Sequence, residues 1–99
     1  MALYIKTIPR TLSNIEYGGQ VARSSGSVGA NYIEANEALS KRDFALRIKI
    51  SRKESEESAY WLRLIVETNE DGCAERGKQL MQEATELKKI FPAIIEKMQ

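Results

Sequence analysis

The stretch KRDFALRIKISRKESEESAYWLRLIVET, from Lys41 to Thr68, decides the fold. Phe44, Ile48, Ser51, Ser55, Ser58, Leu62 and Ile65 follow alternating steps of four and three residues, the spacing of a heptad seam on one side of a long helix. Ser40 followed by Asp43 marks its start as a capping box, with Asp in place of the usual Glu. The middle of the seam is serine, so a neighbouring helix must approach closely there. Leu46, Ile50, Trp61 and Leu64 form a second apolar stripe, more than about 100° round the same helix. One helix with two apolar faces needs two partners. These four residues are the candidate surface for another helix or another subunit.

Working outward, a helical segment precedes this one, from about Thr11 to Leu39, just after Pro9. Val21, Val28, Tyr32, Ala35 and Leu39 share one of its sides. Ile15, Ala22, Gly26, Gly29 and Ile33 share another. Glycine costs about 1 kcal/mol in a helix interior, so Gly18, Gly19, Gly26 and Gly29 favour two shorter helices with a loop at Ser24–Gly29. Against this, Gly18, Ala22, Gly26 and Ala30 recur every four residues and would make a smooth groove on one long helix. That groove is the expected seat for the serine-rich middle of the next helix. After the turn NEDGC, from Asn69 to Cys73 with Gly72 as the helix stop, a third segment runs from about Ala74 to Met98. It carries a seam of Leu80, Ala84, Leu87, Phe91, Ile94 and Met98, with Pro92 expected to kink or break it. No segment alternates with strand period. The expected class is all-α, an antiparallel up-and-down helical bundle in one domain, residues 1–99.

Composition narrows the function. The 99 residues carry 15 Lys+Arg against 14 Asp+Glu, a net charge of +1, and mean hydropathy is −0.41. Attraction of the whole molecule to nucleic acid or an anionic membrane is therefore unsupported, and any such binding needs a local patch. The absence of histidine and the presence of one cysteine, Cys73, exclude disulfide frameworks, Cys/His zinc sites and histidine-based triads. Ser25-Gly26-Ser27-Val28-Gly29 falls one glycine short of a nucleophile elbow, and no P-loop is present. Glu34, Glu54 and Glu57 lack the further ligands of a helical di-metal site. The expectation is a non-enzyme without cofactor or metal. With no apolar run long enough for a membrane span and no signal peptide, a cytoplasmic protein is expected.

Charge is segregated along the central helix. Lys41 to Lys53 holds six bases and one acid, and Glu54 to Asp71 holds six acids and one base. This order opposes the helix macrodipole. Arg42, Lys49, Arg52 and Lys53 are the candidate nucleic-acid-binding residues, a basic band for phosphates. The competing use of these charges is pairing, with Arg52–Glu56, Lys53–Glu57 and Arg63–Glu67 at i,i+4 or plus against minus across subunits. On the preceding helix Gln20, Arg23, Ser24, Ser27, Asn31 and Glu34 form a polar ladder. Within it Ser27, Asn31 and Glu34 are the candidate polar packing network, a ligand site being the alternative.

Three blocks together carry a resemblance: Arg23-Ser-Ser-Gly-Ser-Val-Gly-Ala-Asn-Tyr-Ile-Glu-Ala, Ser40-Lys-Arg-Asp-Phe, and Arg52-Lys-Glu-Ser-Glu-Glu-Ser-Ala-Tyr-Trp-Leu. From about Ile8 to Ile95 the sequence resembles the bacterial four helix bundle protein family, also called the 23S rRNA-intervening sequence protein or S23 family. The resemblance implies an antiparallel bundle assembling into a ring, typically a homopentamer. It also implies a related branch, the accessory protein of diversity-generating retroelements, which is basic and binds nucleic acid and a reverse transcriptase. Family members usually begin with a full helix before the segment around Pro9, where this chain has only Met1–Ile8, so the first helix is expected short or missing. Two roles follow as expectations: an RNA- or DNA-associated accessory protein, or a protein-recruiting homo-oligomeric scaffold.

Overall fold

The computed structural model describes residues 1–69 and 73–98, and they form four α-helices. The helices are α1 (Ala2–Thr7), α2 (Leu12–Asn36), α3 (Lys41–Thr68) and α4 (Cys73–Met98). No helix among the described residues is long and apolar enough to cross a membrane.

Local signals set the helix starts. Ser40 Oγ accepts from the backbone N–H of Asp43 at 3.1 Å, and Thr11 Oγ1 accepts from that of Asn14 at 3.1 Å. Each bond satisfies a donor that the first helical turn leaves open. The long-helix alternative for the second segment is the one the structure adopts, and its glycines do not interrupt it. It ends at Asn36, earlier than expected, and leaves Leu39 fully exposed. Of the kink or break expected at Pro92, the break does not occur: α4 is continuous through that residue from Cys73 to Met98. The missing N–H of Pro92 costs one bond, but Phe91 is buried and Ile94 and Ile95 pack beside it, holding both flanking turns on the core. Asn69 caps the end of α3, while the expected stop at Gly72 lies outside the described residues.

Hydrogen bonds across the bundle give its direction. Asn14 meets Asn69, Ser24 meets Ser58 and Asn31 meets Arg47, so residue numbers fall on α3 as they rise on α2. The two helices are antiparallel. Central α3 packs along both α2 and α4, and the backbone of α1 lies nearest α2 and α4, with Tyr4 reaching into the core they share with α3. Thus α1 sits in the fourth corner of a four-helix square, but for six residues only. A gap of about 110 Å³ lies beside Met1, bordered by Val28, Ser58, Leu80 and Leu87.

The core is in two apolar pieces. One gathers Tyr4, Ile8, Val21, Leu62, Ile65 and Leu80; the other gathers Ala35, Ile48 and Phe91 with Phe44 and Val28 against them. Between them lie the buried Ser24, Ser51, Ser55 and Ser58. Ser55 and Ser58 donate to carbonyls one turn back, at 2.9 Å each, and Ser51 donates across to the Val28 carbonyl at 3.1 Å. Small hydroxyl side chains let the helices close up while every buried polar side-chain atom among the described residues finds a partner.

The expected seat of this serine belt is corrected. It does not rest in the Gly18–Ala22–Gly26–Ala30 groove. Those positions turn away from α3, and only Gly18 is covered, by Ile5 of α1 at 3.1 Å from where a Cβ would sit. Instead α2 presents Val21, Ser24, Val28 and Ala35 inward. This rotation wins because it lets Ser24 bond Ser58 at 2.8 Å and puts Arg23 within reach of two carboxylates of α3.

Candidate functional site

The surface of α3 that α2 and α4 leave uncovered carries most of the candidate residues. Its second apolar stripe is not filled from within the chain: Leu46 is 54% exposed, and Ile50, Trp61 and Leu64 are half-buried. Trp61 also anchors the fold. Its ring lies 5.9 Å from that of Tyr17 on α2 and meets Tyr60 edge-on at 5.1 Å. The guanidinium of Arg63 stands 5.9 Å from the Tyr60 ring, within cation–π range.

The basic band is exposed along its length, but its members are not equivalent. Arg52 pairs with Glu56 at 3.4 Å and Lys53 with Glu57 at 3.9 Å, and Arg63 pairs with Glu67 at 3.5 Å, the three i,i+4 contacts expected from spacing. Arg42 and Lys49 make no ion pair among the described residues. At 3.6 residues per turn Arg42, Lys49 and Lys53 share a side, and Arg52 lies roughly 80° from its centre. Lys53 borders an open depression of about 480 Å³ with Gln20, Arg23, Glu57, Tyr60 and Trp61.

Half of the polar ladder of α2, namely Arg23, Ser24 and Asn31, crosslinks to α3. Arg23 reaches Glu57 at 2.8 Å and the buried Glu54 at 3.4 Å. The hydrogen bond to Glu57, then the charge of Glu54, raise the Arg23 pKa above its ordinary value. Asn31 donates to the Ser27 carbonyl at 2.9 Å and accepts from Arg47 at 3.0 Å. Glu34 stays exposed and makes no hydrogen bond or ion pair among the described residues, so it stands apart from Ser27 and Asn31. The structure adds one crosslink that spacing did not expose. Asn14 and Asn69 exchange side-chain amide hydrogen bonds at 2.8 and 2.7 Å, 55 residues apart in sequence.

A second uncovered surface lies on the outer side of α2. Leu12, Ile15, Gly19, Ala22, Gly26, Gly29 and Ile33 are all exposed. Their spacing alternates three and four residues, and none is charged. Helical spacing alone groups five of these residues, Ile15, Ala22, Gly26, Gly29 and Ile33, but carries no sign that their side faces outward.

A two-faced helical bundle whose blocks lie at these positions can be compared with known proteins. The model of the 23S rRNA-intervening sequence protein family matches residues 2–93. The chain belongs to that family. A solved member resembles this one: a protein of unknown function from the S23 ribosomal protein family of Bacteroides thetaiotaomicron. It is 31% identical, with a TM-score of 0.77, over 95% of this chain and 85% of that one. No curated protein matches. For this member of the family, the four-helix bundle is the scaffold on which both exposed faces are held.

Proposed function

We propose that this family member is a non-catalytic cytoplasmic bundle that works as a homo-oligomer, a ring of the pentameric kind that the family resemblance implies. The supporting observation is the Leu46–Ile50–Trp61–Leu64 stripe, which remains partly exposed after the seam of α3 has been packed, most of all at Leu46. Leu46 and Ile50 at its N-terminal end meet little of the chain's own core, so burying them against another subunit recovers free energy at roughly 25 cal/mol per Å² of apolar surface. The assembled ring then serves as a scaffold that recruits another protein.

Native mass spectrometry of protein purified without nuclease tests this reading. Wild type is expected at a multiple of the 11.2 kDa chain mass, near five. Leu46→Asp with Ile50→Asp is expected at the single-chain mass with helical circular dichroism unchanged. A wild-type monomer refutes assembly.

A second reading, association with RNA or DNA, is favoured by Arg42 and Lys49, which are exposed and unpaired. It predicts nucleic-acid mass on the purified oligomer and binding that weakens steeply between about 50 and 200 mM salt. Arg42→Ala with Lys49→Ala should abolish that mass. Salt-independent binding would count against phosphate contacts.

A further inference from the structure

We infer that the outer face of α2 in one copy seats on the Leu46–Leu64 stripe of α3 in the next, an inference that rests on the self-assembly proposed above. The argument begins with three glycines that the fold does not need. A Cβ built on Gly19, Gly26 or Gly29 meets no atom of the described residues within 4 Å. Each glycine nevertheless costs about 1 kcal/mol relative to alanine inside a helix. Nothing within the molecule uses their missing side chains, so the close approach they permit is to something outside it. Exposed apolar side chains stand at both ends of the same face: Leu12 is 90%, Ile15 54% and Ile33 64% exposed.

Charge identifies the occupant as another copy. Glu16 and Glu34 flank the α2 face, and Glu37 follows at the end of the helix; none has an ion pair among the described residues. The margin of the α3 stripe carries Arg42, Lys49 and Lys53. Acids on one margin meet bases on the other. Stacking two α2 faces together would instead bring acidic margins side by side, which is unfavourable. Length agrees as well. From Leu12 to Ile33 the α2 face spans about 32 Å, and from Leu46 to Leu64 the stripe spans about 27 Å, at 1.5 Å per residue. Bulky residues mark both ends of each face, while glycine and alanine occupy the middle of α2, where the long side chains of Lys53 and Glu57 would lie.

The contact has a defined symmetry. The α2 face points away from its own α3, so each copy offers one face to one neighbour and the other face to the next. Such a heterologous contact repeats until the rotation closes a ring.

Single cysteines test the pairing in a Cys73→Ser background. Gly26→Cys and Lys53→Cys come near one another in antiparallel seating, and Ala22→Cys with Lys53→Cys does so in parallel seating, so the two pairs together cover both orientations. Co-expressed and oxidised, one of the two pairs is expected to give a covalent dimer on a non-reducing gel, and each variant alone is expected to give none. Self-crosslinking of Gly26→Cys alone would overturn the pairing in favour of two α2 faces. An assembled mass without any crosslink would overturn the pairing and leave self-assembly standing, whereas a wild-type monomer would overturn the self-assembly reading itself. Gly26→Leu supplies an independent arm. It has open space in the chain and should keep the helical signal while weakening assembly at least tenfold, and an unchanged assembly would refute the inference.

Discussion

Replacing Gly77 by alanine asks whether close packing really holds α1 and α3 against α4. A Cβ at Gly77 would stand 2.6 Å from Tyr4 Oη and 2.7 Å from Val66 Cγ2. Carbon contacts settle near 3.5–4.0 Å, so the Val66 methyl must retreat by about 1 Å. It has little freedom to do so, because a β-branched side chain in a helix is held to one preferred χ1, and Tyr4 is only 5% exposed. Overpacking of this kind costs about 1–3 kcal/mol. Against it stands a gain of about 1 kcal/mol from replacing a helical glycine. The net loss is thus about 0–2 kcal/mol, too broad a range to be decisive alone. Gly19→Ala supplies the reference, since it carries the same propensity gain and meets nothing within 4 Å. The propensity contribution cancels between the two variants, leaving Gly77→Ala the less stable by about 1–3 kcal/mol. Urea unfolding followed by helical circular dichroism measures this, at concentrations low enough that the midpoint no longer depends on protein concentration. Val66→Ala in the Gly77→Ala background should recover part of the loss, giving a coupling energy between the two sites. Equal stability of Gly77→Ala and Gly19→Ala, within about 0.5 kcal/mol, would show that the contact yields freely and would refute the reasoning.

Two further perturbations probe the crosslinks between α2 and α3. Asn14→Ala leaves the side-chain oxygen of Asn69 without its donor and removes the bond from Asn14 to the Pro9 carbonyl at 2.8 Å. A loss of about 1–3 kcal/mol is expected, and the Asn14→Ala/Asn69→Ala cycle should show coupling; strict additivity would refute a reciprocal pair. Arg23→Met removes both ion pairs and leaves Glu54 buried without its cation. Because the guanidinium is half exposed, the expected loss is about 1 kcal/mol, and it should shrink in 1 M salt, where the wild-type pairs are screened. A loss independent of salt would assign the effect to packing of the arginine stem instead.

What could be read from the sequence was what α3 carries within itself. Ile48, Ser51, Ser55, Ser58, Leu62 and Ile65 are buried as their spacing required, and Phe44 packs at the end of the same seam. Ser40 caps the helix, and its three i,i+4 pairs are formed. These features depend on residues within one or two turns of each other, so periodicity exposes them. The rotation of α2 did not follow from spacing, because that helix has two sides of similar apolar content. The choice is made by polar partners distant in the chain: Ser24 with Ser58, and Arg23 with Glu54 and Glu57. Glycine spacing also pointed the wrong way. It signals that a backbone comes close without saying which backbone, and a small-residue groove next to a serine-rich helix looked like a pair within one chain. Gly77 was invisible for the opposite reason, being a lone glycine whose neighbours come from α1 and α3.

The charge order of α3 connects these strands. Cations toward its start and anions toward its end oppose the macrodipole, and the fold relieves the anionic part from two directions. Arg23 of α2 takes Glu54 and Glu57, and Arg52, Lys53 and Arg63 each reach an acid one turn on. The cationic part is relieved only where Lys53 and Arg52 touch that acidic region. Arg42 and Lys49, nearer the positive end of the dipole, receive no anion from the described residues. Both side chains are exposed, so under the readings proposed above they are free to meet carboxylates of a neighbouring copy or phosphates. Both partners engage the same two side chains on the same side of α3. Docking of the acidic margin of α2 and binding of nucleic acid there would thus compete, so a ring closed through this face would turn its free cations inward to its own contacts and leave little positive surface for phosphate.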